Sequence, residues 1–407
     1  VPVYLDHAAT TPLSAQALAA LTRELSRCGN PSSLHGSGRH ARRVVEEARE
    51  VLAAAAGAHP SEVVFTSGGT EADNLAVKGL YWSRRDQDPR RWKIICSPVE
   101  HHAVLDTVEW LERHEDAQAC WLPVDENGVV SVDDIRAEIE ADPEAVALVT
   151  VMWANNEVGS VQPVADIVQV AHEYGIPVHS DAVQAFGSLP LSFAASGLDT
   201  MAISGHKIGG PVGVGALLVG RAVKLVPLLH GGGQERDVRS GTLDTPSIAA
   251  FAAAADAAVT NLPEEGPRLA RLRERLIAGV SAAIPEAVLR GTPDPSLAGL
   301  RLPGNAHFTF PGCEGDSLLF LLDLAGVESS TGSACTAGVP RPSHVLLAMG
   351  LSEEQARGAQ RFSLGHTSTE SDVEALVAAL PEAYARARKA GMAGHASSIQ
   401  TAGTQQP

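Results

Sequence analysis

The 407-residue chain contains no uninterrupted apolar stretch near the roughly 18–20 residues that a membrane span requires, so no transmembrane helix is expected. No run of Lys or Arg exceeds two residues, and 48 acidic groups outnumber 31 basic ones for a net charge of −17. That pattern lacks the electrostatic footprint of a nucleic-acid-binding protein. Cysteine is scarce. Cys28, Cys96, Cys120, Cys313 and Cys335 make an odd number with no C-x-x-C spacing. A disulfide framework and a structural zinc site are therefore not expected, and reduced thiols in a cytoplasmic protein fit best. The start, Val1-Pro-Val-Tyr-Leu-Asp6, lacks the basic and apolar regions of a signal peptide.

What the chain does have is core: 44% of its residues are hydrophobic, over a length that suits a large domain plus a smaller one. Short apolar runs rich in Val and Ile predict strands over Glu62–Thr66, Lys93–Cys96, Ala145–Met152, Ile176–His179, Thr200–Ser204 and Gly213–Val219. They lack strict alternation, which suits a mainly parallel sheet buried on both faces by helices, an α/β fold. Helical patterns fall between them, at Thr70–Tyr81 and at Val164–Tyr174, the second ending at Gly175. A long helix is predicted over Pro267–Ala283, followed by a strand at Asn305–Phe310 and helices at Gly315–Leu324 and Ser368–Ala387. The predicted organisation is a large domain over 16–258, a smaller α+β domain from 1–15 with 259–388, and a disordered Gly/Ala/Ser/Thr/Gln-rich tail over 389–407.

Several strand ends carry chemistry. The strand Thr200–Ser204 runs into Gly205-His206-Lys207, and a neighbouring strand ends at Asp181. An amine and a carboxylate so placed are what an enzyme needs to hold pyridoxal phosphate, the lysine as Schiff base and the aspartate on the pyridine nitrogen. A surface lysine after a strand is the plainer reading, and it would hold for Lys207 alone. Ser67-Gly68-Gly69-Thr70-Glu71, between a strand and a helix, can cradle an anion on backbone N–H groups. Glu100-His101-His102 offers an imidazole to lie over a flat ring or move protons; no third ligand at metal spacing accompanies the pair. Asn155 and Asn156 offer amides in a crevice or form a turn. Gln184 follows Asp181 by three residues and could reach a phenolate oxygen of the same cofactor, although taken alone it reads as a solvated amide at a helix start. The glycine-rich loop His230–Thr242 could present Thr242 to an anion across a subunit interface. Ser329–Gly338 is a small, polar loop around Cys335, which favours an accessible, reactive thiol. Arg361 is suited to a bidentate grip on a substrate carboxylate.

In their order these segments resemble the cysteine desulfurases among class V, fold-type I pyridoxal-phosphate enzymes. The resemblance runs from Leu5-Asp-His-Ala-Ala-Thr-Thr-Pro12 to Arg361. It includes Asn30-Pro-Ser-Ser-Leu-His35, Thr66–Glu71, Asn155–Gly159, Ser204–Lys207, Gly231–Arg236 and Arg239–Thr242. Gly332-Ser-Ala-Cys335-Thr336 is similar to the housekeeping, long-loop group, and the spelling around Met152 and Cys335 is similar to actinobacterial members. The resemblance implies Lys207 as the Schiff-base lysine, Asp181 on the pyridine nitrogen, Gln184 on the phenolate and His101 stacked on the ring. It implies Asn156 as a further cofactor contact, and Asn155 and Arg361 as holders of the substrate carboxylate. Gly69, Thr70, Ser204 and His206 would bind the phosphate, with Thr242 supplied by the partner of a homodimer. His102 receives no role.

The implied reaction turns L-cysteine into L-alanine. Lys207 or His101 moves the α-proton, and Cys335 as thiolate takes the sulfur as a persulfide for an acceptor protein, a scaffold for iron–sulfur assembly or a tRNA thiolase. Cys335 is also a candidate transient iron–sulfur ligand, although one cysteine falls far short of a full set. A selenocysteine lyase or an aminotransferase of the same class shares the lysine and phosphate apparatus, and a non-catalytic sulfur-carrier subunit would share the fold. Cys335 in its loop argues for the desulfurase.

Overall fold

The computed structural model describes residues 2–293, 300–332 and 342–402. Its strands are β1 (Val3–Tyr4), β2 (Val63–Thr66), β3 (Lys93–Cys96), β4 (Gln118–Trp121), β5 (Val146–Thr150), β6 (Val178–Asp181), β7 (Thr200–Ser204), β8 (Gly215–Val219), β9 (Val288–Arg290), β10 (Asn305–Thr309), β11 (Val327–Glu328) and β12 (Ala359–Ser363). The α-helices are α1 (Ala15–Leu25), α2 (Gly36–Ala56), α3 (Gly69–Gln87), α4 (His102–His114), α5 (Val132–Ala141), α6 (Val164–Glu173), α7 (Phe193–Ser196), α8 (Thr245–Ala283), α9 (Gly315–Leu324), α10 (His344–Ala348), α11 (Glu353–Arg357) and α12 (Glu370–Ala402).

Seven strands form the large sheet in the order β2-β8-β7-β6-β5-β3-β4. All run parallel except β8, which is antiparallel to both neighbours. Every residue of β2, β5, β6, β7 and β8 is buried, because helices cover both faces. That burial explains why these strands read as apolar runs without alternation. The C-terminal ends of the parallel strands lead into Ser67, Glu100-His101, Asn155, Asp181 and Lys207. In open α/β sheets this is where ligands bind.

The second unit is an antiparallel sheet, β12-β10-β9, with the parallel pair β1-β11 beside it. Leu5, Leu276, Phe308, Phe310, Phe362, Leu376 and Leu380 belong to its own core. Leu5, just after β1, thus packs with this unit. The boundary expected near 258 falls inside a single helix, because α8 runs unbroken for 39 residues. Its first half (Ile248, Phe251, Ala255) lies in the core of the large sheet and its second half (Leu272, Leu276, Val280) in the smaller core. Pro263 and Pro267 sit at the passage between the two halves. Each proline removes a backbone donor, yet the helix continues through both, so the two cores share one helix.

Two further differences have physical causes. The strand β4, half-exposed and only four residues long, carries too few apolar residues to register in the sequence pattern. Of the tail expected over 389–407, the part to Ala402 continues α12, in line with the high helix propensity of its alanines, and 403–407 lie outside the described residues. No helix among the described residues is long and apolar enough to cross a membrane.

Phe308 is fully buried between Phe310 and Phe362, with ring centroids 6.0 and 6.5 Å away. Phe308→Ala is expected to lower stability by about 3–5 kcal/mol, measured by denaturant titration. A loss under about 1 kcal/mol would contradict the placement of the smaller core.

Candidate active site

The site begins with a buried carboxyl group and a half-buried amine, at and just past the ends of adjacent strands. β6 ends at Asp181, which is 5% exposed, and its Oδ1 accepts a hydrogen bond from the Val183 N–H at 2.8 Å. β7 ends at Ser204, after which a tight turn closes through Ile208 N–H and Gly210 N–H to the Gly205 carbonyl. The turn brings Lys207 back toward the N-terminal segment, where its Nζ donates to the carbonyls of Ala8 (2.6 Å) and Ala9 (2.7 Å). Gln184 Nε2 donates to the same Ala8 carbonyl at 2.8 Å. Burial, with help from Arg361, pushes the Lys207 amine down to about 8 against the pull of Asp181 and Asp6. Burial raises Asp181, while His101, the Val183 N–H and Lys207 act to lower it.

His101 is the N-cap of α4, and its Nδ1 accepts from Ala103 N–H at 3.1 Å. That bond leaves the proton of the neutral ring on Nε2. Burial pushes the imidazolium below its ordinary pKa; Asp181 opposes the shift and Lys207 reinforces it. Burial thus favours the neutral ring, whose Nε2–H is free to donate.

The anion cradle lies beside them. α3 starts directly after Gly68, whose φ of 153° is a conformation L side chains rarely adopt. No side chain caps this helix, so its first N–H groups are not satisfied by a capping residue. A Cβ on Gly69 would meet Val183 Cγ2 at 2.8 Å and would lie 3.9 Å from Ser204 Cβ, so the backbone approaches both closely. The Ser204 hydroxyl is buried and has no hydrogen-bond partner among the described residues. His206 Nδ1 lies 3.4 Å from Thr10 Oγ1, and burial, then Lys207 and His101, hold its pKa down to about 4. Thr70 and Thr242 are both exposed.

Asn155 requires a correction. It is completely buried; its Nδ2 donates to the Val99 carbonyl (2.9 Å) and its Oδ1 accepts from the N–H groups of Glu157 and Val158. The side chain is spent on shaping the turn, as asparagine often is, and does not reach out to hold a substrate carboxylate. Asn156 is half-buried and takes part through its carbonyl, which accepts from Arg361 Nη1 at 2.8 Å. Arg361 Nη2 binds Asp6 at 2.9 Å, and its buried Nε has no partner among the described residues. A bidentate grip on a carboxylate would have to take Nη2 from Asp6.

Cys335 lies outside the described residues. The ends of its loop are visible. Ser330 bridges Arg361 through both backbone groups. A Cβ on Gly332 would sit 3.3 Å from Glu157 Oε2, and the same carboxylate oxygen accepts from Ser343 Oγ at 2.5 Å. Ser343, two residues past segment 333–341, is thus hydrogen-bonded to Glu157, and Gly332 on the other side lies close to the same carboxylate.

Three buried groups escaped sequence reasoning. Asp73 and Glu100 are buried, and burial followed by the nearby charge of Asp181 pushes both well above the carboxylate range. Asp73 Oδ1 meets Nε2 of fully buried His179 at 3.3 Å, and burial drives His179 down to about 3. The available signal was Asp73 on the apolar face of α3, among Ala72, Ala76, Val77 and Leu80.

Comparison with known proteins resolves what this arrangement belongs to. The aminotransferase class-V family profile matches residues 3–376. An IscS-like cysteine desulfurase of Mycobacterium tuberculosis is 58% identical over 395 residues, spanning 97% of this chain and 99% of that relative. The chain belongs to the cysteine desulfurases of the aminotransferase class-V family. A cysteine desulfurase IscS of Clostridium botulinum is 42% identical over 95% of each chain. Among solved structures, a NifS-like protein is similar at a TM-score of 0.84 with 35% identity, covering 94% of this chain and 99% of the other. A structure described as SspA in complex with cysteine is similar at 0.75 with 35% identity, covering 89% and 98%.

For this desulfurase the depressed amine gives a direct test. Labelling of Lys207 by an amine-reactive reagent, followed by peptide mass spectrometry, is expected to accelerate as pH rises and to level off just above about 8. A rate still climbing beyond pH 10.5, the value of an unperturbed lysine, would contradict the burial of Nζ.

Proposed function

We propose that this desulfurase holds pyridoxal 5'-phosphate between Lys207 and Asp181 and uses it to convert L-cysteine to L-alanine, leaving the sulfur as a persulfide on Cys335. The observation that carries the reading is the pair of mutually perturbing charges, amine and carboxylate, at the ends of β7 and β6. The residues present fit the cofactor. The partnerless Ser204 hydroxyl, the uncapped N–H groups at Gly69 and Thr70, and His206 suit a phosphate. A buried carboxylate raised by burial suits a pyridinium N–H. Gln184 would meet the phenolate oxygen, Asn156 would add a polar contact and His101 would lie over the ring. Thr242, exposed on its own chain, would serve the site of a second copy in a homodimer.

When bound, the group supplies an aldehyde for the substrate amine and a ring that draws electron density from the substrate Cα. The chain's own residues do the rest. Lys207, with an amine near 8, has a useful neutral fraction at physiological pH and can take the proton from Cα. His101, neutral with Nδ1 engaged, can pass a proton through Nε2. Arg361 orients the substrate carboxylate once Nη2 leaves Asp6. The balance is simple: L-cysteine plus the Cys335 thiol gives L-alanine plus the Cys335 persulfide. The thiol must ionise to act as nucleophile. The persulfide then goes to an acceptor, a scaffold for iron–sulfur assembly or a tRNA thiolase, as in the housekeeping group. Cys335 would also be the residue to lend a transient ligand to a nascent cluster. The reduced thiols suit a cytoplasmic enzyme.

Cys335→Ser is expected to keep the cofactor absorbance and to lose persulfide formation from L-cysteine by at least about a thousandfold, while Lys207→Ala loses activity and alters the absorbance as well. Full alanine production by Cys335→Ser would refute the nucleophile.

A further inference from the structure

Gly233–Asp237 is an unusually constrained stretch of the chain. Gly233, Glu235, Arg236 and Asp237 have φ values of 70°, 47°, 57° and 62°. Three consecutive L-residues in the left-handed region are disfavoured by contact between Cβ and the carbonyl. Such strain persists only where the surroundings over-determine the backbone.

The surroundings here are a buried ion pair and an open sheet edge. Glu235, 6% exposed, is gripped by Arg49, 5% exposed, through Nη2 to Oε1 (2.6 Å) and Nη1 to Oε2 (2.8 Å). Strand β2 is the edge of the large sheet, bonded to β8 on one side only. On its other side the Phe65 N–H donates to Glu235 Oε2 at 2.8 Å. The Val63 carbonyl accepts from Arg49 Nη1 (2.8 Å) and Arg236 Nη2 (3.1 Å). Side chains of the left-handed turn and of α2 thus do for β2 what a neighbouring strand would do. The Arg49 guanidinium also lies over the Phe65 ring, 4.7 Å from its centroid.

Phe65 is followed within two residues by Ser67-Gly68-Gly69-Thr70. The far end of the same loop grips the other side of this turn: Arg239 Nε donates to Glu71 Oε1 at 2.7 Å, and Glu71 Oε2 accepts from the Ser67 N–H at 2.7 Å. One loop therefore holds the anion cradle at both flanks.

We propose that the Arg49–Glu235 pair is a positioning device for this cradle. It holds the loop left-handed, pins the edge strand, and together with Arg239–Glu71 sets the direction of the N–H groups that open α3. This inference deepens the cofactor reading and rests on it. Its consequence is selective: the phosphate end of the cofactor depends on the clamp and the ring end does not.

The test compares two ligands that share the ring and aldehyde and differ in the phosphate. Cofactor-free full-length protein is titrated with pyridoxal phosphate and with pyridoxal, read by absorbance. Glu235→Gln and Arg49→Lys are expected to weaken pyridoxal phosphate by about tenfold and to leave pyridoxal within about twofold. Circular dichroism reports whether each variant folds. Should Glu235→Gln fail to fold, Arg49→Lys and the milder Arg239→Gln decide, with the same selectivity expected. Equal weakening of both ligands, or no weakening of either, overturns the inference. Wild-type protein that binds neither ligand removes the cofactor reading and this inference with it.

Discussion

Desolvation of one amine and one carboxylate governs this molecule. Taking Lys207 and Asp181 out of water works against both charges: burial lowers the amine and raises the acid. Each charge partly restores the other, and the carbonyls of Ala8 and Ala9 hold the ammonium in place while it is protonated. The outcome is an amine with an accessible neutral form beside an acid that favours a cationic partner. Neither property belongs to an ordinary surface lysine or aspartate. Both follow from placing the two residues at the ends of adjacent strands in a sheet buried on both faces.

The other acids near Asp181 sharpen the effect. Three buried carboxyl groups share an environment that disfavours charge, and Asp181 raises both Asp73 and Glu100 beyond what burial does. Of the three, only Asp181 has His101 and Lys207 acting against the rise that burial causes. Glu100 accepts from the Met152 N–H, which also ties the end of β3 to the end of β5. The same group thus serves the sheet as well.

Much of this was legible in the residues. Buried strands announce themselves as Val- and Ile-rich runs, so the edges of β3 and β7 coincide with their expected limits. Lys207, Asp181, His101 and the glycine turn at 68–69 were visible because each is a residue type that packing at a strand end does not explain. What stayed hidden depends on distance in sequence. Asn155 reads as a free amide until the Val99 carbonyl, 56 residues away, is found to accept from it. Glu235 finds Phe65 across 170 residues, and its neighbours carry left-handed backbone without the glycines that would have signalled it. The unbroken course of α8 was obscured by two prolines that ordinarily suggest an end.

The account stands on the chemical identity of one nitrogen. Protein loaded with pyridoxal phosphate, reduced with borohydride and digested, should yield a cofactor-modified peptide carrying the adduct on Lys207 and on no other lysine. A protein that retains no adduct, or carries it elsewhere, would contradict the assignment of the site.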